Sequence, residues 1–266
     1  MLKNKKLLLI ILISLIVVIG LIVGIVLIVI NKSEEPIIEE RTPEEIEGLE
    51  EEDLENNFKK RFYSIEYTED KNEIVSKGYF YDEIKDNKYS VKLNIPQINK
   101  ETELTKKINK EIVDKYGNKL LDVMNNDNAY TIYNVDFITY KYKDILSIII
   151  KTVLKEGNTV QRTAIEIFNY DIENDKIVTL SEVLKEKNIE KTDVQTKIIN
   201  TIRDKNTNSK NLAEQGYNIY VRDIRSDEYL IENIKTFFID EQGYIYIVFP
   251  YGNNNYTQTM DVIIIK

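Results

Sequence analysis

The sequence predicts an α+β protein in which one N-terminal transmembrane helix is followed by an ectodomain of mostly antiparallel sheet with packed helices. Three patterns support this fold class. An uninterrupted apolar run extends from Leu7 to Ile30. Apolar side chains recur at helical spacing from Leu104 to Met124. Alternating or wholly apolar segments, typical of strands, fill much of the remainder. The ectodomain is predicted to consist of a first lobe, residues 58–128, and a second lobe, residues 129–266.

The apolar run from Leu7 to Ile30 is long enough to cross a bilayer as a helix. It spans about 36 Å, against a hydrocarbon core of about 30 Å. A secretory signal has a shorter apolar region and ends at a small-residue cleavage site, and neither feature is present here. Lysines precede the run and glutamates follow it. Residues 1–6 are therefore predicted to form a cytoplasmic tail, and the C-terminal domain is predicted to lie outside the cell membrane.

Gly20 and Gly24 form a G-x-x-x-G pair inside this run. Such a pair lets two membrane helices approach closely. It predicts association of the anchor into a homodimer, with lipid as the other partner of the helix.

Composition excludes several kinds of chemistry. Cysteine and histidine are both absent, which removes disulfides, Ser-His-Asp and Cys-His catalysis, and histidine-ligated zinc. No motif for a metal or another cofactor stands out, so none is predicted. The net charge of −9 is concentrated in residues 31–57, an acidic juxtamembrane spacer. A nucleic-acid partner is therefore not expected.

The spacer is predicted to be partly helical. Thr42, Pro43 and Glu45 resemble a capped helix start, and Leu54 and Phe58 continue a thin apolar stripe. The remaining elements of the first lobe are three strands and one helix. The first strand begins at Tyr63, the second covers 74–84, and the third covers 89–95 and is ended by Pro96. The helix covers 101–124.

The second lobe is predicted to contain more strand than helix. The segment Ile145–Ile150 is apolar on both faces, which indicates a central strand covered from both sides. Thr192 and Gln195 form a capping box that predicts a helix start, and the polar stretch Asn206–Asn211 predicts a loop. The other elements are strands over 129–142, 145–155 and 159–170, helical segments over 179–187 and 227–234, a hairpin of 236–240 with 244–249, and a last strand over 260–265.

Several of these segments, in this order, resemble the extracytoplasmic domain of RsiV-like proteins, which are membrane-bound anti-sigma factors that sense lysozyme. A related module precedes some peptidoglycan deacetylases. The resemblance covers roughly residues 89–266. It is carried by Ile145–Ile148, Phe168–Asp171, Asp175–Leu184, the hairpin from Phe237 through Gly243, and then Pro250, Tyr251 and Tyr256.

The resemblance implies lysozyme sensing, but the chain departs from the family at three points. Many members have a Gly-Gly-Ala-His-like run where this chain has Glu156–Thr159. Only Met1–Lys6 is left to hold a sigma factor in the cytoplasm, and no deacetylase domain is present. Control of a sigma factor is therefore disfavoured.

Tyr251 and Tyr256 are the predicted ligand-binding residues. They flank or occupy a loop rich in glycine and asparagine, where exposed tyrosines provide large contact area with a hydroxyl for hydrogen bonding. The alternative is that both tyrosines pack back onto the sheet. Ser147 with Lys151 is one of many Ser-Lys pairs, and the segment Asn169–Asp175 lacks the glycine and glutamate of a calcium loop. No catalytic or metal-binding residue is predicted.

The sequence thus predicts a single-pass, non-catalytic binding or sensing module of a bacterial cell envelope, with an extracellular lysozyme-like protein or a cell-wall ligand as partner. Two alternatives stay open. One is a cell-wall enzyme that uses carboxylates or a Ser-Lys pair. The other is a structural membrane subunit that acts mainly through its anchor.

Overall fold

The computed structural model describes residues 50–63, 74–126, 128–251 and 259–266. The predicted anchor with Gly20 and Gly24, the capping motif at Thr42, and Tyr256 lie outside the described residues. No helix within the described ranges has the length and apolar character needed to cross a membrane. The helices of these ranges are α1 (Glu51–Tyr63), α2 (Glu103–Asn125), α3 (Leu180–Glu186) and α4 (Lys191–Glu214).

Six strands form the larger sheet, and their order in the sheet follows their order in the chain. Neighbouring strands are antiparallel except for β2 and β3, which run parallel and are joined through α2. A parallel pair needs such a crossover, because a tight turn cannot bring the chain back to the same end. The strands are β1 (Val75–Lys85), β2 (Tyr89–Ile98), β3 (Thr131–Tyr142), β4 (Ile145–Glu156), β5 (Arg162–Asp171) and β6 (Lys176–Ile177).

The α+β class with a mostly antiparallel sheet is confirmed. The pairing of β2 with β3 places strands from both sides of residue 128 in one sheet. Ile145–Ile150 of β4 is buried throughout between β3 and β5, as the apolar pattern predicted. One face of the sheet packs against α2 through Ile108, Ile112 and Leu120.

A second sheet of three antiparallel strands packs over the opposite face. It consists of β7 (Phe237–Ile239), β8 (Ile245–Pro250) and β9 (Met260–Ile265), in that order. Leu54 and Phe58 of α1 complete the core between the sheets. The ring centroid of Phe238 lies 5.0 Å from that of Tyr140 and 4.9 Å from that of Phe58. The other face of the small sheet packs against α3 and α4.

A short chain of buried hydrogen bonds joins the two sheets. Ser147 Oγ donates to Asn169 Oδ1 at 2.7 Å, and Asn169 Nδ2 donates to the carbonyl oxygen of Phe237 at 2.7 Å. The backbone N–H of Ile239 donates to Ser147 Oγ at 3.1 Å. Both backbone groups lie on the outer edge of β7, so side chains of the large sheet satisfy an edge that would otherwise be buried without partners.

Two predicted boundaries at the start of the domain are wrong. Tyr63 ends α1 instead of beginning a strand, because Leu54, Phe58 and Phe62 form one buried helical face. The neighbouring Ile65 and Tyr67 lie outside the described residues.

Pro96 does not end β2, which continues to Ile98. The ladder of β2 with β3 covers only Tyr89–Leu93. Pro96 lies beyond this ladder, so its missing N–H removes no hydrogen bond to β3. On the other side the register shifts between Lys77 and Tyr79, which forms a bulge at Gly78.

Helix α4 also differs from its prediction. It begins at Lys191 without a side-chain cap and runs through Asn206–Asn211, the predicted loop. Asn206 Oδ1 accepts the backbone N–H of Arg222 at 3.0 Å, and Ser209 Oγ accepts from Arg222 Nη1. These long-range contacts stabilise a helix that local propensity disfavours.

Two glycines predict opposite effects of substitution with alanine. Gly243, between β7 and β8, has φ +86°, and an added Cβ would lie 2.5 Å from Tyr142 Cε2. Gly243→Ala is therefore expected to lower the free energy of unfolding by about 2 kcal/mol. Gly117 lies within α2, and an added Cβ would meet nothing within 4 Å. Gly117→Ala is expected to stabilise by about 0.5–1 kcal/mol, and urea denaturation of both variants tests the pair.

Asp240 in the same turn predicts a dependence of stability on pH. Its Oδ1 accepts the N–H groups of Gln242 and Tyr244, yet burial raises the pKa of its carboxyl to about 6. A raised pKa favours folding at low pH, and this contribution is lost as pH rises from about 4 through about 6. Asp240→Asn keeps an accepting oxygen without the charge. It is expected to be more stable than the native protein by about 2 kcal/mol above pH 7.

Thermal unfolding of both proteins between pH 4 and 8 measures this difference. If the gap between Asp240→Asn and the native protein stays constant over that range, Asp240 is already ionised at low pH in the folded state.

Candidate functional site

Tyr251, a predicted recognition residue, is buried with 6% of its surface exposed. Its hydroxyl lies 3.0 Å from that of Tyr229 and donates to Asp261 Oδ2 at 3.0 Å. Its ring stacks on Tyr220 with centroids 4.5 Å apart. Arg222 holds Asp261 through two bonds, from Nε and from Nη2.

The predicted exposure of Tyr251 is therefore wrong, and the alternative in which the side chain packs back onto the protein applies. Burial, followed by the charge of Asp261, raises the pKa of the Tyr251 phenol, so this hydroxyl acts as a neutral donor. Hydrogen bonds from Tyr251 and Arg222 satisfy the buried carboxylate of Asp261.

Ser147 and Lys151 do not form a nucleophilic pair. They are four residues apart on β4, a separation of about 13 Å in a strand. Ser147 Oγ is committed to Asn169 and Ile239, and Lys151 Nζ donates to the carbonyl oxygen of Tyr63 at 2.8 Å. Burial lowers the pKa of Lys151. Its Nζ is bonded to a backbone carbonyl and not to the Ser147 hydroxyl, so it does not activate that serine.

The acidic and amide side chains of Asn169–Asp175 point to separate places. Asn169 bonds to β7, Asp171 accepts the N–H of Asn174, and Asp175 accepts the hydroxyls of Tyr170 and Thr102. The segment is a polar turn whose oxygens do not converge on one point.

A groove of about 380 Å³ lies between α1, α4 and β9. Three glutamates and one amide of α1 form one wall, Thr201 of α4 contributes the opposite wall, and β9 lies at its floor. The lining residues are Glu51, Glu52, Glu55, Asn56, Thr201, Val262, Ile263 and Ile264.

Among the strands of the described residues, β9 is an edge strand of the small sheet, and it forms the floor of the groove. The N–H of Val248 donates to Thr236 O, and the N–H of Tyr251 donates to Thr259 O. In an antiparallel ladder, successive residues face opposite neighbours, so the odd-numbered residues of β9 pair with β8. Val262 and Ile264 therefore direct their backbone groups into the groove. Within the described ranges, their two N–H groups have no hydrogen-bond partner.

The walls of the groove carry both charges, but the acidic groups dominate its α1 side. Lys197 Nζ contacts Glu51 Oε1 at 2.5 Å and the carbonyl oxygen of Ile264 at 2.8 Å. Glu55 pairs with Lys59 at 2.6 Å and Lys205 at 3.1 Å. Glu52 is exposed, and within the described part of the chain it forms no ion pair. Free main-chain donors beside a carboxylate surface suit an extended, cationic protein segment.

Sequence reasoning missed this groove. The sequence shows the acidic residues of α1, but their run predicts a spacer. It also predicts a strand over 260–265, which is confirmed, but it does not indicate the place of this strand in the sheet.

No protein-family model and no curated protein matches this chain. Among solved structures, the chain is similar to the crystal structure of a DUF3298 family protein from Pseudomonas aeruginosa, with 12% sequence identity and a TM-score of 0.29. The match covers 38% of this chain and 51% of that protein. Likeness at this level assigns neither a family nor a function.

Proposed function

We propose that this protein is a single-pass, membrane-anchored binding module of a bacterial cell envelope, which binds a protein partner outside the cell without catalysing a reaction. The observation that carries the proposal is the free edge of β9 at the floor of the groove. A strand edge whose backbone groups lack a strand partner can receive an extended peptide, because main-chain hydrogen bonds supply affinity and flanking side chains supply selectivity.

The extracellular placement rests on the apolar run from Leu7 to Ile30 and its charged flanks. The groove begins at Glu51, at the end of the acidic spacer. Glu51, Glu52 and Glu55 of its wall belong to the acidic segment 31–57 and give this wall of the groove negative charge. The resemblance to RsiV-like ectodomains favours a lysozyme-like protein as that partner, with a cell-wall ligand as the alternative. The pair Gly20 and Gly24 favours a homodimer of the anchor.

An enzyme acting on the cell wall is the second candidate. The Ser-Lys pair considered for it has no support in the hydrogen bonding of Ser147 and Lys151. The third candidate, a structural membrane subunit, depends on the anchor alone. It predicts that replacing Gly20 and Gly24 with isoleucine abolishes association of the anchor, while filling the groove leaves that association unchanged.

The test measures binding of lysozyme to the full chain in detergent micelles. Thr201→Trp places a large side chain in the groove, and we expect it to weaken binding by about tenfold or more, as for loss of a central contact. Thr207→Trp, exposed on the same helix, is the matched control and is expected to leave binding unchanged. Equal binding by Thr201→Trp and the native chain would exclude the groove, and no binding by the native chain would exclude lysozyme as the partner.

A further inference from the structure

One lysine bridges two of the residues that line the groove. Lys197 Nζ reaches across from α4 and donates to the carbonyl oxygen of Ile264 on the edge of β9 and to Glu51 Oε1 on α1. One ammonium thus joins an edge carbonyl of β9 to a carboxylate of α1. We call these two acceptors, Ile264 O and Glu51 Oε1, the ammonium subsite.

The occupant of the ammonium subsite is replaceable. The side chain of Lys197 is one-third exposed and that of Glu51 is about half exposed, at 33% and 48%. Ion pairs that open to solvent contribute little net stability, since water solvates both charges when they separate. A competing cation can therefore take the place of Lys197 at small cost.

A strand added to β9 would bring alternate side chains to the two walls. Successive residues of a strand point to opposite faces. One set of the added side chains faces Glu51, Glu52 and Glu55 on α1, and the other set faces α4 near Thr201. Of the three glutamates, Glu52 has no cationic partner within the described ranges, whereas Glu51 and Glu55 are paired with lysines of the chain itself.

We infer that the groove takes an extended segment with lysine or arginine at alternate positions, and that an incoming cation displaces Lys197 from the ammonium subsite. This inference rests on the proposed function and specifies the chemistry of the partner segment. Basic side chains face α1, where they meet Glu52 and the vacated Glu51. Uncharged side chains at the intervening positions face Thr201. Lys197 acts as an internal competitor that weakens binding of such segments.

The experiment uses the full chain in detergent and three short labelled peptides of equal length, with alternating Lys-Thr, Val-Thr and Glu-Thr sequences. Binding is followed by fluorescence anisotropy at low and high salt. Lys197→Met removes the ammonium but keeps an apolar side chain, and it is expected to raise affinity for the Lys-Thr peptide by about threefold. Glu52→Gln is expected to lower that affinity by about threefold and to reduce its salt dependence. Lys210→Met, exposed on the same helix, is the matched control and should change neither.

The outcomes distinguish failure of this inference from failure of the proposed function. If Lys197→Met binds the Lys-Thr peptide no more tightly than the native chain, Lys197 is not a competitor and the inference fails. If the Val-Thr or Glu-Thr peptide binds as tightly as the Lys-Thr peptide and Thr201→Trp abolishes this binding, the groove is a receptor without basic selectivity. The inference then fails while the proposed function stands. If Thr201→Trp changes binding of no peptide, both fail.

Discussion

Replacing Tyr251 with alanine is expected to lower the free energy of unfolding by about 3–5 kcal/mol, the usual cost of removing a large buried aromatic side chain. The ring of Tyr251 is buried against Tyr220, and its hydroxyl bonds to Tyr229 and Asp261. The substitution removes this packing and also takes a donor from the buried carboxylate of Asp261. Urea denaturation followed by circular dichroism measures the loss.

The matched control is Tyr217→Ala, because Tyr217 is 62% exposed and its removal should change stability by no more than about 0.5 kcal/mol. Tyr251→Phe separates the two contributions, since it keeps the ring and removes only the hydroxyl; a loss of about 1–2 kcal/mol is expected. If Tyr251→Ala changes the free energy of unfolding as little as Tyr217→Ala does, the side chain is not held in the core. Tyr251 would then be an exposed candidate for ligand binding.

The burial of Tyr251 illustrates what the sequence alone does not reveal. It follows Pro250, and the residues after it are a glycine and three asparagines, which is typical of an exposed loop. The side chains that enclose it, Tyr220, Tyr229 and Arg222, lie more than twenty positions earlier and are brought near by the end of α4. No local pattern encodes that proximity.

Elements with a strong apolar period were predicted well, for a physical reason. Ile108, Ile112 and Leu120 of α2 repeat every fourth residue or a multiple of it, and one face of the helix is buried as a result. The same reasoning failed for the second half of α4, where the buried positions are Asn206 and Ser209. Polar residues in a core become readable only when their hydrogen-bond partner, here Arg222, is known.

The groove lay beyond prediction for a different reason. Glu51, Glu52 and Glu55 follow a helical spacing that exposes acidic groups on one side of α1, but the sequence does not say which strand they face. That depends on the order β7-β8-β9, which leaves β9 at the edge. Strand order is set by long-range packing between the two sheets, and local sequence patterns do not indicate it.

Replacing Asn169 with alanine tests that packing directly, and a loss of about 3 kcal/mol is expected. Asn169 links Ser147 of the large sheet to Phe237 of the small one in a buried setting. Its removal leaves the Phe237 carbonyl and the Ser147 hydroxyl each short of a partner, and an unsatisfied buried polar group costs about 1–3 kcal/mol. Chemical denaturation of the full chain measures the change.

Asn208→Ala is the control, since Asn208 is exposed on α4 and alanine favours the helix slightly. The double variant Ser147→Ala with Asn169→Ala adds a sharper test. Because both residues belong to one hydrogen-bonded unit, the double variant should lose less stability than the sum of the two single variants. Strictly additive losses would mean that the two side chains act separately. The outer edge of β7 would then not be held to the large sheet by a connected set of hydrogen bonds.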